Sequence, residues 1–435
     1  MTEVRVSNSL LAFALALGAV TSALVLATLL GAPVHLGSNI PTSDLMLDYA
    51  YGLLFAFAGY AILVIFPVSF PDRIALAIVW TVKILVVLVF MLFYEDFYWI
   101  LDSYTYFELP QSAPFGWDGI QIGRGTDNLY NLIWLYYRVF PDSFHALKVF
   151  FSFVGLMAVY IFYRAGVLVA GKEDLRLFYI LALCPSILFW SSILGKEPIA
   201  LLGIAICAYG TATWHKGRAT RGVILLAFGV LVAMLIRPWL GPILIAPLLA
   251  NIVFGRYRLI NKMLIVTLAA GALVYALNAL WDQLAIETTQ DLLETIDTRS
   301  RGLSEGGSAQ EVPADLTQPV EVIRALPLAM FTALFRPLPG EIPNAFGTLA
   351  GAENLVLLVL LAFALRRFRF AELKEPVVLW ATTLVLAWTS TYAFISYANL
   401  GGAVRFLNQP ACQHRADSYV SRVARRIGWR HLRYR

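Results

Sequence analysis

The sequence predicts an all-α fold: a polytopic bundle of about eleven membrane-spanning helices with two long extracytoplasmic loops. Three observations predict it. Of the 435 residues, 59% are hydrophobic and only 14% charged, with a mean hydropathy of +0.71. Few soluble domains could keep so apolar a chain in water. Apolar runs of roughly 20 residues recur along nearly the whole length, and a helix of that size crosses ~30 Å of hydrocarbon. Finally, the loops between the runs alternate in charge, as loops on opposite sides of a membrane do.

In chain order the apolar runs are 8–31, 49–68, 74–95, 146–168, 177–193, 198–214, 221–236, 239–254, 263–281, 345–365 and 376–396. The first is too long for the apolar core of a signal peptide and lacks a small-residue cleavage site, so it reads as a retained helix. Several of the others are short, which points to tilted or partly buried helices. A further run at 325–335 is too short to span and reads as re-entrant or interfacial. No run of soluble character interrupts residues 1–410, so these read as a single transmembrane domain.

One set of loops carries Arg73; Arg164, Lys172 and Arg176; Lys216, Arg218 and Arg221; Arg256, Arg258 and Lys262; and Arg366, Arg367, Arg369 and Lys374. The positive-inside rule makes this set cytoplasmic, with the N-terminus inside. The long polar loops at 96–145 and 282–344 then lie outside, together with the short turns around Lys196 and Arg237. Composition changes abruptly near Ala411, and residues 411–435 are rich in arginine. Two readings fit this basic tail. One is a cytoplasmic helix that needs an extra span. The other, which is favoured, is a reading-frame shift near the 3′ end.

Cys184, Cys207 and Cys412 form no disulfide or zinc pattern, and the five histidines have no mutual ligand spacing. Lys83 lies well inside the third run and is the main charge read as buried there. The polar motifs of chemical interest gather on the outer face. Asp102-Ser103-Tyr104-Thr105-Tyr106 follows Glu95-Asp96, and in a helix Asp102 and Tyr106 share a face. An interfacial helix with wet carboxylates explains this pattern as well as a catalytic base does; Asp102 is the first candidate base and Asp96 the second. Lys196-Glu197 sits at a turn and reads either as a snorkelling pair or as a phosphate-directed lysine held by its glutamate. Arg237-Pro238-Trp239 is either a helix-end arginine or a phosphate fork. Arg336-Pro337-Leu338-Pro339-Gly340-Glu341 places a charged pair on proline-stiffened backbone. Arg405 joins the outer basic set, and Gly306-Gly307-Ser308 reads as a linker or a gating loop.

On the Asp102, Ser103 and Tyr106 pattern, the Pro185 to Glu197 run and the Arg336 to Glu341 run, the chain resembles the GT-C superfamily of integral-membrane glycosyltransferases and membrane proteins of bacterial surface-polysaccharide loci. The resemblance covers roughly residues 70–410. It departs in three respects: the acidic loop follows the third apolar run, where many members place it after the first; no soluble C-terminal domain is evident; and the tail is anomalous. The resemblance implies sugar transfer from a polyprenyl-(di)phosphate donor to an acceptor hydroxyl on a glycan, lipid or protein, at the outer face of a bacterial cytoplasmic membrane. Asp102 or Asp96 would be the base, and Lys196, Arg237, Arg336 and Arg405 would hold the donor phosphate. Tyr106, Glu197 and Glu341 would position substrate. A divalent cation is an open possibility that requires Asp102, Asp96 and Glu341 to converge. Membrane lipids are expected partners and nucleic acid is not. Two other functions compete: a polymerase or ligase of lipid-linked oligosaccharides, and a lipid-linked saccharide transporter or flippase, against which the lack of an internal repeat and the single buried lysine argue. The topology is testable: a green fluorescent reporter fused after Arg369 is expected to fluoresce and one inserted in 96–145 to stay dark, and the reverse result overturns it.

Overall fold

The structure is a computed structural model that describes residues 15–22, 39–97, 101–254, 288–302, 316–342, 345–367 and 376–398, with isolated positions at 13, 36 and 37, between 263 and 278, and at 370 and 373. The described residues are helical and contain no strand. The labelled helices are α1 (Leu45–Ile65), α2 (Phe70–Phe97, with a π-helical turn at Val86–Phe90), α3 (Asp102–Ser112), α4 (Gly125–Tyr137), α5 (Phe144–Ala170), α6 (Leu175–Leu183), α7 (Pro185–Trp190), α8 (Lys196–His215), α9 (Ala219–Ile236), α10 (Leu240–Phe254), α11 (Thr289–Gly302), α12 (Pro319–Phe335), α13 (Ala345–Arg367) and α14 (Pro376–Ala398).

Six of these are long and apolar enough to cross a membrane: α1, α2, α5, α8, α9 and Gly347–Arg367 of α13. They match six of the expected runs. Large apolar side chains such as Leu54, Ile62, Ile78, Phe93, Ile224, Phe228, Val356 and Leu360 point outward and stay exposed. A soluble protein does not leave such faces in water, and lipid is the solvent that suits them. The protein is thus built as a multi-pass membrane protein. Other runs are realised differently. The expected span 177–193 is two short helices, α6 and α7, broken at Cys184-Pro185 because proline has no N–H to continue the ladder. The run 239–254 is the 15-residue α10 with Pro247 inside it. The short run 325–335 belongs to the 17-residue α12, and 376–396 to the 23-residue α14. The spans 8–31 and 263–281 lie largely outside the described residues, as do Arg405, Gly306 and the 411–435 tail. The loop expected at 96–145 is folded: it contains α3, a 3-10 turn at Trp117–Gly119 and α4.

The helices fall into two compact units, residues 1–283 with 370–384 and residues 284–369 with 385–435. In the first, α1, α2 and α5 form the trunk. Side-chain caps start the helices: Asp44 accepts the Leu47 N–H for α1, Ser69 the Asp72 N–H for α2, and Ser143 the Ala146 N–H for α5. Gly171, at φ +70°, ends α5 in the left-handed cap that suits glycine. The fully buried indole of Trp80 packs on bare backbone at Gly59 and donates to the Ala56 carbonyl at 3.0 Å. Helices α8 and α9 pack antiparallel along a small-residue seam. Gly203 lies against Gly229 and Ala233, and Gly210 against Gly222 and Leu226, close enough that a Cβ on either would meet backbone. In the second unit α12 packs on α13, and Ala329 and Ala393 share a small core with Leu326 and Met330.

Charge is distributed along the trunk by pairs. At one end Asp48 of α1 accepts from the Phe144 N–H at 2.6 Å and from the His145 N–H and ring, so its carboxylate caps α5. One turn further, Lys148 holds both oxygens of Glu95, at 2.7 and 2.9 Å. At the other end Asp72 accepts from Tyr160 at 2.7 Å and Arg164 at 3.2 Å, and Arg164 also reaches Glu173 at 2.9 Å. Lys83 is therefore not the main buried charge, as the sequence suggested: Asp48, Asp72, Glu95, His145 and Lys148 are buried with it. They sit within one or two turns of helix ends, where sequence alone reads them as surface residues. Removing one partner of a buried pair strands the other, at a cost of about 3–5 kcal/mol. Glu95→Gln and Lys148→Met are each expected to lower thermal stability in detergent sharply, and Glu95→Leu/Lys148→Met to recover most of it. A double variant as unstable as the sum of the singles rules out the coupling.

Candidate functional site

Three helix ends converge in the first unit. Gly125, the first residue of α4, lies against the Ile236 carbonyl at the end of α9, leaving no room for a Cβ. Asn128, one turn along α4, fastens the contact. Its Nδ2 donates to the Leu235 carbonyl at 2.6 Å and to the Gln121 carbonyl at 2.7 Å, and its Oδ1 accepts the Gln121 N–H at 2.9 Å. Helix α8 begins at the same place. Its first residue, Lys196, is 7% exposed and donates from Nζ to Thr126 Oγ1 at 2.6 Å. Its second, Glu197, pairs with Arg237, which is 4% exposed and follows the last residue of α9. The Arg237 guanidinium lies 6.0 Å from the Trp239 ring.

The outcome is two buried cations and one carboxylate at the N-termini of α4 and α8. The opening turn of a helix has N–H groups without intrahelical partners and a positive dipole end. Add a lysine, an arginine fork and a hydroxyl, and the chemistry suits an oxyanion such as a phosphate. The sequence singled out Lys196, Glu197 and Arg237, and the structure brings these three together. Thr126 and Asn128 were missed, since nothing in Gly125-Thr126-Asp127-Asn128 marks a partner about 70 residues away.

Asp102 is half-buried and opens α3, where a carboxylate is also stabilised by the positive end of the helix. Tyr106, one turn on, is 2% exposed and packs 5.9 Å from Tyr130 of α4, so it belongs to the core between the two helices. Asp96 is exposed at the end of α2, and its backbone carbonyl accepts from Asn39 at 3.4 Å. Burial, and then the charges of Glu95 and Asp96, raise the Tyr104 phenol well above its ordinary value. Helices α3 and α4 pack on each other, so the Asp102 helix and the Thr126 turn share one scaffold.

Arg336 and Glu341 lie in the second unit, after α12. Arg336 Nε donates to Glu341 Oε1 at 2.8 Å and Oε2 at 3.1 Å, Nη2 lies 2.6 Å from Oε1, and the Leu338 N–H reaches Oε2 at 2.7 Å. Asn354 of α13 donates to the Pro337 carbonyl at 3.0 Å. The Arg-Pro-x-Pro-Gly-Glu motif is thus a clasp whose two charges hold each other. Among the described residues no three His, Cys, Asp or Glu side chains gather as a metal site would require. No protein-family model matches the chain, and no curated protein or solved structure is significantly similar to it.

Burial would raise the Glu341 carboxyl, but the Arg336 hydrogen bond, the Leu338 N–H and the Arg336 charge outweigh it and hold it below the ordinary 4.5. Since the folded value lies below the unfolded one, the clasp stabilises fully above about pH 4.5 and weakens as pH falls through the lower folded value. Thermal stability of the wild type is expected to fall faster than that of Glu341→Gln below pH 4.5. Parallel slopes in the two proteins would show that the clasp contributes nothing.

Proposed function

We propose that the chain is a GT-C-like membrane glycosyltransferase. It moves a sugar from a polyprenyl-(di)phosphate donor to an acceptor hydroxyl at the extracytoplasmic face of a bacterial cytoplasmic membrane. The observation that carries this reading is the meeting of Lys196, Arg237, Glu197 and Thr126 at one end of the bundle. A phosphate on a lipid tail needs buried cations next to an apolar surface. Lys196 and Arg237 supply the charge, and Glu197 orients Arg237. The exposed apolar faces of the bundle suit the polyprenyl chain.

The simplest reaction is an inverting single displacement. Asp102 takes the acceptor hydroxyl proton, the oxygen attacks the anomeric carbon, and the bond from that carbon to the phosphate oxygen breaks. The phosphate leaves with the bonding pair, stabilised by Lys196 and Arg237. Asp96 is the second candidate for the base. Arg336 and Arg405 belong to the donor set that the sequence resemblance implies; Arg336 lies in the second unit, bound to Glu341, and Arg405 lies outside the described residues.

Purified protein supplied with polyprenyl-linked sugars and an envelope-glycan acceptor is expected to transfer sugar. Asp102→Asn should lose about a hundredfold or more, the usual contribution of a general base. Lys196→Ala and Arg237→Ala should raise the donor KM and lower kcat. Full activity in Asp102→Asn with loss in Asp96→Asn reassigns the base. No transfer by wild type, where a control enzyme works, rejects the reading. The rival reading is a lipid-linked saccharide transporter; flux across liposomes with no covalent change would establish it.

A further inference from the structure

Lys83 occupies position 14 of the 28-residue α2, so about 20 Å of helix lies on either side of it at 1.5 Å per residue. It is 1% exposed. Its Nζ lies within hydrogen-bond distance of three oxygens: the Ser191 carbonyl at 3.0 Å, Ser191 Oγ at 2.7 Å and Ser192 Oγ at 2.7 Å. Among the described residues no carboxylate pairs with it. Among the described residues of the first unit, the other buried lysines and arginine, Lys148, Lys196 and Arg237, lie near the ends of their helices, whereas Lys83 lies mid-helix and reaches across to the end of α7.

That break is the non-helical turn between α7 and α8. Ser192 Oγ donates to the Leu188 carbonyl at 2.6 Å, and the Ser191 and Ser192 N–H groups close on Ile187 and Phe189 at 2.9 Å, so both serines finish α7. The Ser191 carbonyl presses on the bare backbone of Gly155 in α5, where no Cβ fits. Only Ile193, Leu194 and Gly195 separate Ser192 from Lys196, and Leu194 is buried. The turn is thus held from below by Lys83 and Gly155, and its upper end delivers Lys196 to Thr126 and Glu197 to Arg237.

We infer that Lys83 is a positioning residue of the cation site: its Nζ fixes the Ser191–Gly195 turn and thereby sets where Lys196 and Glu197 meet a lipid-linked phosphate. Burying an amine at mid-depth is expensive, and a methionine would fill the same volume without that cost. What methionine cannot do is bind three oxygens at once and hold a broken backbone in one conformation. The inference rests on the phosphate reading of Lys196 and Arg237, and the experiment separates the two.

The full chain in detergent is titrated with undecaprenyl phosphate, and amide hydrogen exchange is followed in wild type, Lys83→Met and Ser192→Ala. In Lys83→Met the dissociation constant is expected to rise at least tenfold. Amides 192–197 should lose protection while α5 and α9 keep theirs. Ser192→Ala, which removes one of three acceptors, should show about a threefold rise. Wild-type affinity in Lys83→Met overturns the inference. So does a loss of protection spread evenly over the bundle with affinity per folded molecule unchanged, the mark of a merely structural residue. If Lys83→Met fails to fold, Ser192→Ala decides, and unchanged affinity and exchange in it overturn the inference. If wild type does not bind the probe, the phosphate reading falls, and unchanged protection at 192–197 in Lys83→Met overturns the role of Lys83 independently.

Discussion

A charge inside a hydrocarbon-facing bundle has no water to fall back on, and the arrangement of this protein follows from that constraint. Each buried acidic, basic or histidine side chain among the described residues is bound to a counter-charge or to oxygens: Asp48 to His145 and two backbone N–H groups, Asp72 to Tyr160 and Arg164, Glu95 to Lys148, Arg237 to Glu197, Lys196 to Thr126, and Lys83 to two serines. The partners come from different helices. A bundle that must satisfy these groups can pack its helices in few registers, since sliding one helix by a turn would strand several charges at once.

The pairs also divide the trunk by depth. Asp48, His145, Glu95 and Lys148 crowd one end of α1, α2 and α5, and Asp72, Arg164 and Glu173 the other. Between them the trunk carries no charged side chain other than Lys83. In the proposed site, cations that are already in place would spare a phosphate the binding energy of ordering them. Asn128, with its hold on the end of α9, and Lys83, with its hold on the Ser191 turn, stabilise that site from two directions.

Glycine and proline set the other half of the geometry. Gly125 and Gly155 allow a carbonyl of another segment to approach the backbone directly, and Gly203, Gly210, Gly222 and Gly229 let α8 and α9 touch along their length. Pro185 separates α6 from α7, and the non-helical turn from which α8 starts follows α7 at 191–195. The same Pro185 to Glu197 stretch that stood out for its chemistry therefore also carries the structural break that the site depends on.

The sequence by itself determined the solvent, the secondary structure and the direction of search. Composition and apolar run length require helices in lipid, because only a helix satisfies its backbone there. Six runs became helices of spanning length at nearly the expected bounds. Lys196, Glu197 and Arg237 were legible as a group because polar residues at the ends of apolar runs are few. Tertiary structure alone decided which of them meet. Glu197 and Arg237 are 40 residues apart, Lys196 and Thr126 70, and Lys83 and Ser191 108. A one-dimensional pattern records the period of a helix but not the rotation and register that bring two helices' polar faces together. For the same reason the sequence pattern does not mark Asp48, Glu95 and Lys148 as buried partners, whereas Arg336 and Glu341, close in the chain, already read as a charged pair and bind each other.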